Sequence, residues 1–212
     1  MGRREIQMKV RQVIFDLGGV LVEWNPHSLV KKHIEDEAVQ AIVLNEILLH
    51  PDWLELDKGS ISESEAAIQI SQRSSLNHNF VLEIFERVRE FFTLIEQSED
   101  LLNKLVDHGI PCYALSNMSV ENYEYLSRNF DFFKQFKGAV ISGHESLIKP
   151  DQEIYRLICE RFQLNPAETL FIDDTLANCE AAQSVGMQTV HFDRDYPLNI
   201  DKIICAEPAL VG

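Results

Sequence analysis

Arg11–Pro26, RQVIFDLGGVLVEWNP, is the stretch that decides the fold. Three consecutive apolar residues, Val13, Ile14 and Phe15, lead to a single acid, Asp16, and then past Leu17 to the pair Gly18-Gly19. Apolar side chains at successive positions face both sides of a strand, so this strand belongs inside a parallel sheet covered by helices on both faces. Two glycines let the backbone turn tightly and come close to a ligand, which leaves Asp16 at an open crevice. Taken alone, the pattern has two readings, a local hydrogen-bonded turn and a functional site. The rest of the chain decides between them.

From Pro26 to about Glu99 the apolar residues recur at helical spacing. Leu29-Val30, Ile34, Val39, Ile42-Val43 and Ile47-Leu48 form one series, Ala66-Ala67, Ile68 and Ile70 begin a second, and Phe80, Leu82, Ile84-Phe85 and Val88 continue it. This block reads as a small helical domain inserted after the first strand. Within it, Pro51–Ser60 reads as a loop, because Pro, Gly and Ser interrupt the pattern. On such a loop Trp53 and Asp57 either face the crevice and read substrate or, in the case of Trp53, pack the helices together.

After Leu101 the chain alternates. A helix to His108 stops at Gly109, a strand over Pro111–Leu115 ends in Ser116-Asn117, and a helix runs from Ser119 to Phe130. A third strand, Gly138–Ile141, is followed by a loop containing Lys149-Pro150 and a helix over Gln152–Phe162; a fourth, Thr169–Ile172, ends in Asp173-Asp174. A helix from Leu176 to Val185 and a fifth strand, Gln188–Phe192, follow, and one further short element is expected after Tyr196. Strands separated by helices imply a parallel sheet with right-handed crossovers. The expected fold is therefore α/β: a Rossmann-like, three-layer core formed by residues 1–22 and 100–212, with residues 23–99 as a helical cap.

Composition narrows the function. At 212 residues and 45% hydrophobic content the chain can bury one good core and a small second domain. Its longest apolar runs fall short of the about 20 residues that span a bilayer, and its polar start lacks a secretory apolar core, so a cytoplasmic protein without a membrane partner is expected. A net charge of −15 with no basic patch argues against nucleic acid. An anionic small substrate remains compatible, since solution salt screens distant charge within about 8 Å. Four scattered cysteines and seven histidines without ligand spacing suggest neither a disulfide framework nor a zinc site.

Ligands of open parallel sheets bind outside the carboxyl ends of the strands. Here those ends carry Asp16, Ser116-Asn117 and Asp173-Asp174, with Lys149 in the loop after the third strand. Converging carboxylates repel, so such a site either holds a cation or raises one pKa. Oxygen donors without histidine or cysteine favour a hard ion, and Mg²⁺ suits a site that also takes phosphate. Ser116 and Asn117 can bond phosphate oxygens, and Lys149 adds a point positive charge. Each residue also has a purely structural reading, as a helix cap or a solvated lysine. All of them falling at successive strand ends in one order is poorly explained that way.

On VIFDLGGVLVEWN, ALSN, IKPDQEIYRLICERFQLNPAETLFIDDTLANCEAAQSVGM and WLELDKGSIS, the chain resembles the haloacid dehalogenase-like (HAD) hydrolases, in particular the subgroup whose helical cap follows the first strand. The resemblance implies that Asp16 is a nucleophile forming an aspartyl-phosphate, Ser116 the phosphate-binding hydroxyl, and Lys149 the lysine that orients both. It further implies that Asp16, the Gly18 carbonyl and Asp174 ligate Mg²⁺, with Asp173 and Asn178 in support. One position departs from the pattern: family phosphatases usually carry an acid-base aspartate two residues after the nucleophile, where this chain has Gly18.

The leading expectation is a Mg²⁺-dependent phosphatase for a small phosphorylated metabolite. Without an acid at 18 it would favour acidic leaving groups such as a sugar 1-phosphate, and the FDLGxV start resembles bacterial glucose-1-phosphate phosphatases. The alternatives are a metal-free 2-haloacid dehalogenase using the same aspartate, which the acidic pair Asp173-Asp174 disfavours, and a non-catalytic phosphate- and Mg²⁺-binding regulatory protein. A monomer or a homodimer is expected.

Overall fold

The computed structural model describes residues 10–195, so the element expected after Tyr196, together with Cys205, lies outside the described residues. Five parallel strands, β1 Gln12–Phe15, β2 Cys112–Ser116, β3 Phe136–Ile141, β4 Thr169–Asp173 and β5 Gln188–His191, form one sheet in the order β3-β2-β1-β4-β5. β1 is central and wholly buried. Ile14 faces one core with Leu115, Val140 and Phe171, while Val13 and Phe15 face the other with Cys112, Ala114, Leu170 and Ile172. That is the two-sided burial its uninterrupted apolar run demands. The order reverses between β1 and β4, so the loops after these strands diverge and open a crevice at their carboxyl ends.

Between β1 and β2 the chain forms α1 Pro26–His33, α2 Glu37–Val43, α3 Pro51–Lys58, α4 Glu63–Arg73, α5 His78–Phe91 and α6 Glu96–Asp107, with a π turn at Leu44–Leu48. α7 Val120–Asn129, α8 Ser142–Glu145, α9 Gln152–Phe162 and α10 Leu176–Ser184 complete the crossovers. No helix among the described residues is long and apolar enough to cross a membrane. The chain enters and leaves the insertion through adjacent segments: Glu23 N–H donates to the Thr93 carbonyl (2.8 Å) and Ile95 N–H to the Leu21 carbonyl (2.9 Å). The inserted helices share a core with one face of the sheet, where Val20, Leu21 and Val22 join Val30, Ile47, Phe85 and Val88.

Two boundaries differ from expectation. Pro51–Ser60 is not a loop, because its breakers are the ends of α3. Pro51 occupies the first turn, where a missing N–H costs nothing, the His50 side chain accepts from Asp52 N–H, and Gly59 closes the helix in the left-handed conformation (φ 72°). The helix expected from Leu101 begins at Glu96, so the domain boundary drawn at residue 99 falls inside α6.

Gly59 also sets how closely α3 meets α8. A Cβ there would stand 2.3 Å from the Gly143 carbonyl oxygen, and the Ser142 hydroxyl donates to the Asp57 carbonyl. Gly109 shares the left-handed backbone (φ 74°) but faces open space. Gly109→Ala should therefore lose only about 1–2 kcal/mol in denaturant unfolding, and Gly59→Ala clearly more. Equal losses would mean that α3 does not need its close seat on α8.

Candidate active site

β1 delivers Asp16 to the crevice, β2 delivers Ser116, β4 delivers Asp173-Asp174, and the loop before α9 delivers Lys149. Lys149 is almost wholly buried; its Nζ lies 2.8 Å from Asp16 Oδ1 and donates to Asp173 Oδ2 at 2.7 Å. Asp173 accepts further bonds from Thr175 N–H (2.8 Å) and from Asn178 Nδ2 (3.0 and 3.1 Å). Its oxygens are thus committed to protein groups behind the cleft. Asp16 and Asp174 line the cleft itself, together with Gly18, Ser116, Asn117, Lys149 and Asn178.

Asn117 has a particular task. Its Nδ2 donates to the Lys149 carbonyl (2.9 Å) and its Oδ1 accepts from Lys149 N–H (2.8 Å), so both ends of the amide clamp the lysine's backbone. The α7 N-terminus is capped instead by Ser119, whose hydroxyl accepts from Asn122 N–H.

The two glycines after Asp16 do different things. At Gly19 (φ 78°) a Cβ would fall 2.1 Å from Asp174 Oδ2, so only glycine lets that carboxylate approach β1. A Cβ at Gly18 would meet nothing closer than Trp24 Cβ at 3.7 Å, and its φ is not left-handed. The backbone therefore does not require glycine at 18.

Asp16, Asp173 and Asp174 each offer a carboxylate oxygen within 4.8 Å of the others. Burial pushes Asp16 up to about 7, against the pull of Lys149, with Asp173 and Asp174 adding to the rise. Asp174 is raised as well, by burial and then by Asp173. For Lys149, burial acts to lower the pKa, but Asp16 and Asp173 outweigh it and hold the ammonium protonated. Among the cleft's lining residues Lys149 is the one cation, facing Asp16, Asp57 and Asp174. An all-oxygen acidic cluster short of positive charge fits a hard divalent ion.

On the other wall sequence reasoning offers Trp53 as a residue facing the crevice, but not its apolar neighbours. Trp24 and Trp53 stack with centroids 5.2 Å apart, and Leu54, Phe92 and Met118 continue an apolar surface around a cleft of about 290 Å³. Trp24 and Phe92 come from the two segments that join the insertion to the sheet, and nothing local in their sequence marks them as site residues.

A group whose pKa is higher in the folded than in the unfolded chain stabilises fully below the unfolded value and loses that contribution as pH rises through the folded value. For Asp16 the window runs from 3.8 to about 7. Metal-free Asp16→Asn should therefore match wild type near the acid end of that window and exceed it by on the order of a few kcal/mol above the upper end. Thermal unfolding across pH without divalent ions checks this, and a pH-independent difference would contradict it.

Residues 10–186 match the family described as haloacid dehalogenase-like hydrolase. Sesquiterpene phosphatase astK of Aspergillus oryzae is 29% identical over 181 residues, covering 85% of this chain and 89% of that protein. A phosphorylated carbohydrates phosphatase of Thermotoga maritima is 26% identical over 198 residues, covering 84% and 83%. Two other relatives are matched over only 34% and 18% of their own lengths. Among solved structures, a HAD family enzyme of Bacteroides thetaiotaomicron, in complex with magnesium and inorganic phosphate, superposes with a TM-score of 0.68 at 25% identity, over 85% of this chain and 93% of that one. The match runs from Val10, two residues before β1, through α10 and takes in every loop that supplies the acidic cleft, and on it the chain belongs to the haloacid dehalogenase-like hydrolases.

Proposed function

We propose that this protein is a Mg²⁺-dependent phosphatase that transfers the phosphoryl group of a small phosphorylated metabolite to Asp16 and then to water. The reading rests on one observation: a cleft that presents Asp16 and Asp174 beside a single buried ammonium, Lys149, too little positive charge for a phosphate dianion unless a divalent cation joins it. Asp16, the Gly18 carbonyl and Asp174 would hold Mg²⁺, and a bound cation would supply charge neutralisation at the phosphoryl group and favour ionised Asp16. Asp16 attacks phosphorus, Lys149 orients the nucleophile and phosphate, and the Ser116 hydroxyl donates to a phosphate oxygen. Asn117 keeps Lys149 in place through its backbone, while Asp173 and Asn178 hold the ammonium from behind. Helices of the 23–99 insertion serve as the cap that covers the phosphate.

The organic part of the substrate lies against Trp24, Trp53, Leu54, Phe92 and Met118. A wall of this kind offers apolar area and flat faces but few hydroxyl partners, so it favours an apolar or planar monoester over a sugar phosphate. The A. oryzae relative is named for a sesquiterpene and the T. maritima relative for carbohydrates, and the apolar wall sides with the former.

A panel of farnesyl phosphate, phenyl phosphate, glucose 1-phosphate and 2-chloropropionate, with Mg²⁺ or with chelator, tests the reading. Phosphate release should need Mg²⁺, should favour the apolar esters by kcat/KM, and should fall about 10³-fold or more in Asp16→Asn. Chelator-resistant chloride release would put dehalogenation first. Activity indifferent to Asp16→Asn would leave only a binding role.

A further inference from the structure

We propose that Asp57, carried on α3 of the inserted helices, is the general acid and base of the reaction, taking the place of the side chain that Gly18 lacks. The inference rests on the phosphatase reading above and adds a residue to it. Asp57 lines the same cleft as Asp16, Ser116 and Lys149, and is only 8% exposed. Of the carboxylates that line this cleft, Asp16 is the nucleophile and Asp174 belongs to the cation, which leaves Asp57 with no other task; no histidine or cysteine lines it.

Its position is built from both sides. The Ser142 hydroxyl donates to its backbone carbonyl, Gly59 lets α3 sit on Gly143, and the Ser119 amide bonds its carboxylate. Burial raises its proton affinity well above the ordinary carboxylate range, Asp16 adds to the rise, and the Ser119 amide and Lys149 oppose it. Other charged groups on the elements packed against α3 are occupied: Glu63 of α4 pairs with Arg89 and Glu145 of α8 with Arg161, while His144 of α8 stacks edge-on with Tyr123. A carboxyl with raised proton affinity that lines the same cleft as the nucleophile is what the first step requires.

As Asp16 Oδ attacks phosphorus and the bond from phosphorus to the ester oxygen breaks, the Asp57 carboxyl gives its proton to that oxygen, releasing the alcohol and leaving Asp57 as carboxylate. Asp57 then takes a proton from water as the water oxygen attacks phosphorus. The bond from phosphorus to Asp16 breaks, inorganic phosphate leaves, and Asp16 carboxylate and Asp57 acid are restored. The bias toward acidic leaving groups expected from Gly18 alone therefore disappears.

The test is kcat/KM across aryl and alkyl phosphates of increasing leaving-group pKa, with Mg²⁺, for wild type, Asp57→Asn, Asp16→Asn and Asp57→Asn/Gly18→Asp. Wild type should vary less than about 10-fold along the series. Asp57→Asn should lose about 10²–10⁴-fold on alkyl esters and far less on p-nitrophenyl phosphate. It should also lose the alkaline limb of the pH profile, which a merely structural role would leave in place. The room around a Cβ at position 18 lets Gly18→Asp restore alkyl turnover in the Asp57→Asn background. A steep leaving-group dependence already in wild type, or an equal loss on every ester in Asp57→Asn, overturns the assignment. Asp16→Asn separates the two levels: if it stays active, the phosphatase reading itself fails, whatever Asp57 does.

Discussion

Everything in the cleft depends on the buried ammonium of Lys149, which touches Asp16 at 2.8 Å and Asp173 at 2.7 Å. Two carboxylates at the ends of neighbouring strands β1 and β4 would otherwise face each other almost without water. Removing Lys149 from this cluster would cost about 3–5 kcal/mol, because both carboxylates would stay desolvated and lose their counter-charge. The protein accordingly fixes the lysine at both ends: its backbone by Asn117, its head by the two acids, and Asp173 in turn by Asn178 and Thr175. One buried cation for three clustered acids still leaves a deficit of positive charge, and that deficit is what a bound divalent ion would relieve.

The opposite side of the cleft comes from the insertion, and its placement follows from small residues rather than charge. Gly59 and Gly143 let two backbones approach, and that contact carries Asp57 and Trp53 to the cleft. Gly19 does the same for Asp174. Gly18 alone of these is free of steric compulsion, which turns its missing side chain from a defect into a question of where the proton comes from. The apolar cluster that joins the insertion to the sheet gives Asp57 a firm seat despite its arrival from a separate run of helices.

Much of this was legible in the sequence, for physical reasons. A strand buried on both faces writes itself as consecutive apolar residues, and a parallel sheet collects its functional groups at strand ends, so Asp16, Ser116, Lys149 and Asp173-Asp174 could be placed from order alone. The helix α3 was illegible because Pro51 and Gly59 end a helix as readily as they interrupt one. Asn117 could be placed at the cleft, but its clamp on Lys149 spans 32 positions, and the bond between Ser142 and Asp57 spans 85. Contacts of that kind leave no local pattern. Gly18 and Gly19 are identical letters whose opposite roles depend on φ and on where Asp174 lies.

The central claim is that Asp16 becomes covalently phosphorylated, and it has a direct chemical readout. Acid quenching during turnover of phenyl phosphate with Mg²⁺, followed by borohydride reduction and peptide mass analysis, converts an aspartyl-phosphate to homoserine. The account predicts homoserine at position 16, at no other aspartate, and none without Mg²⁺. Sustained phosphate release with position 16 unmodified at every quench time would contradict it.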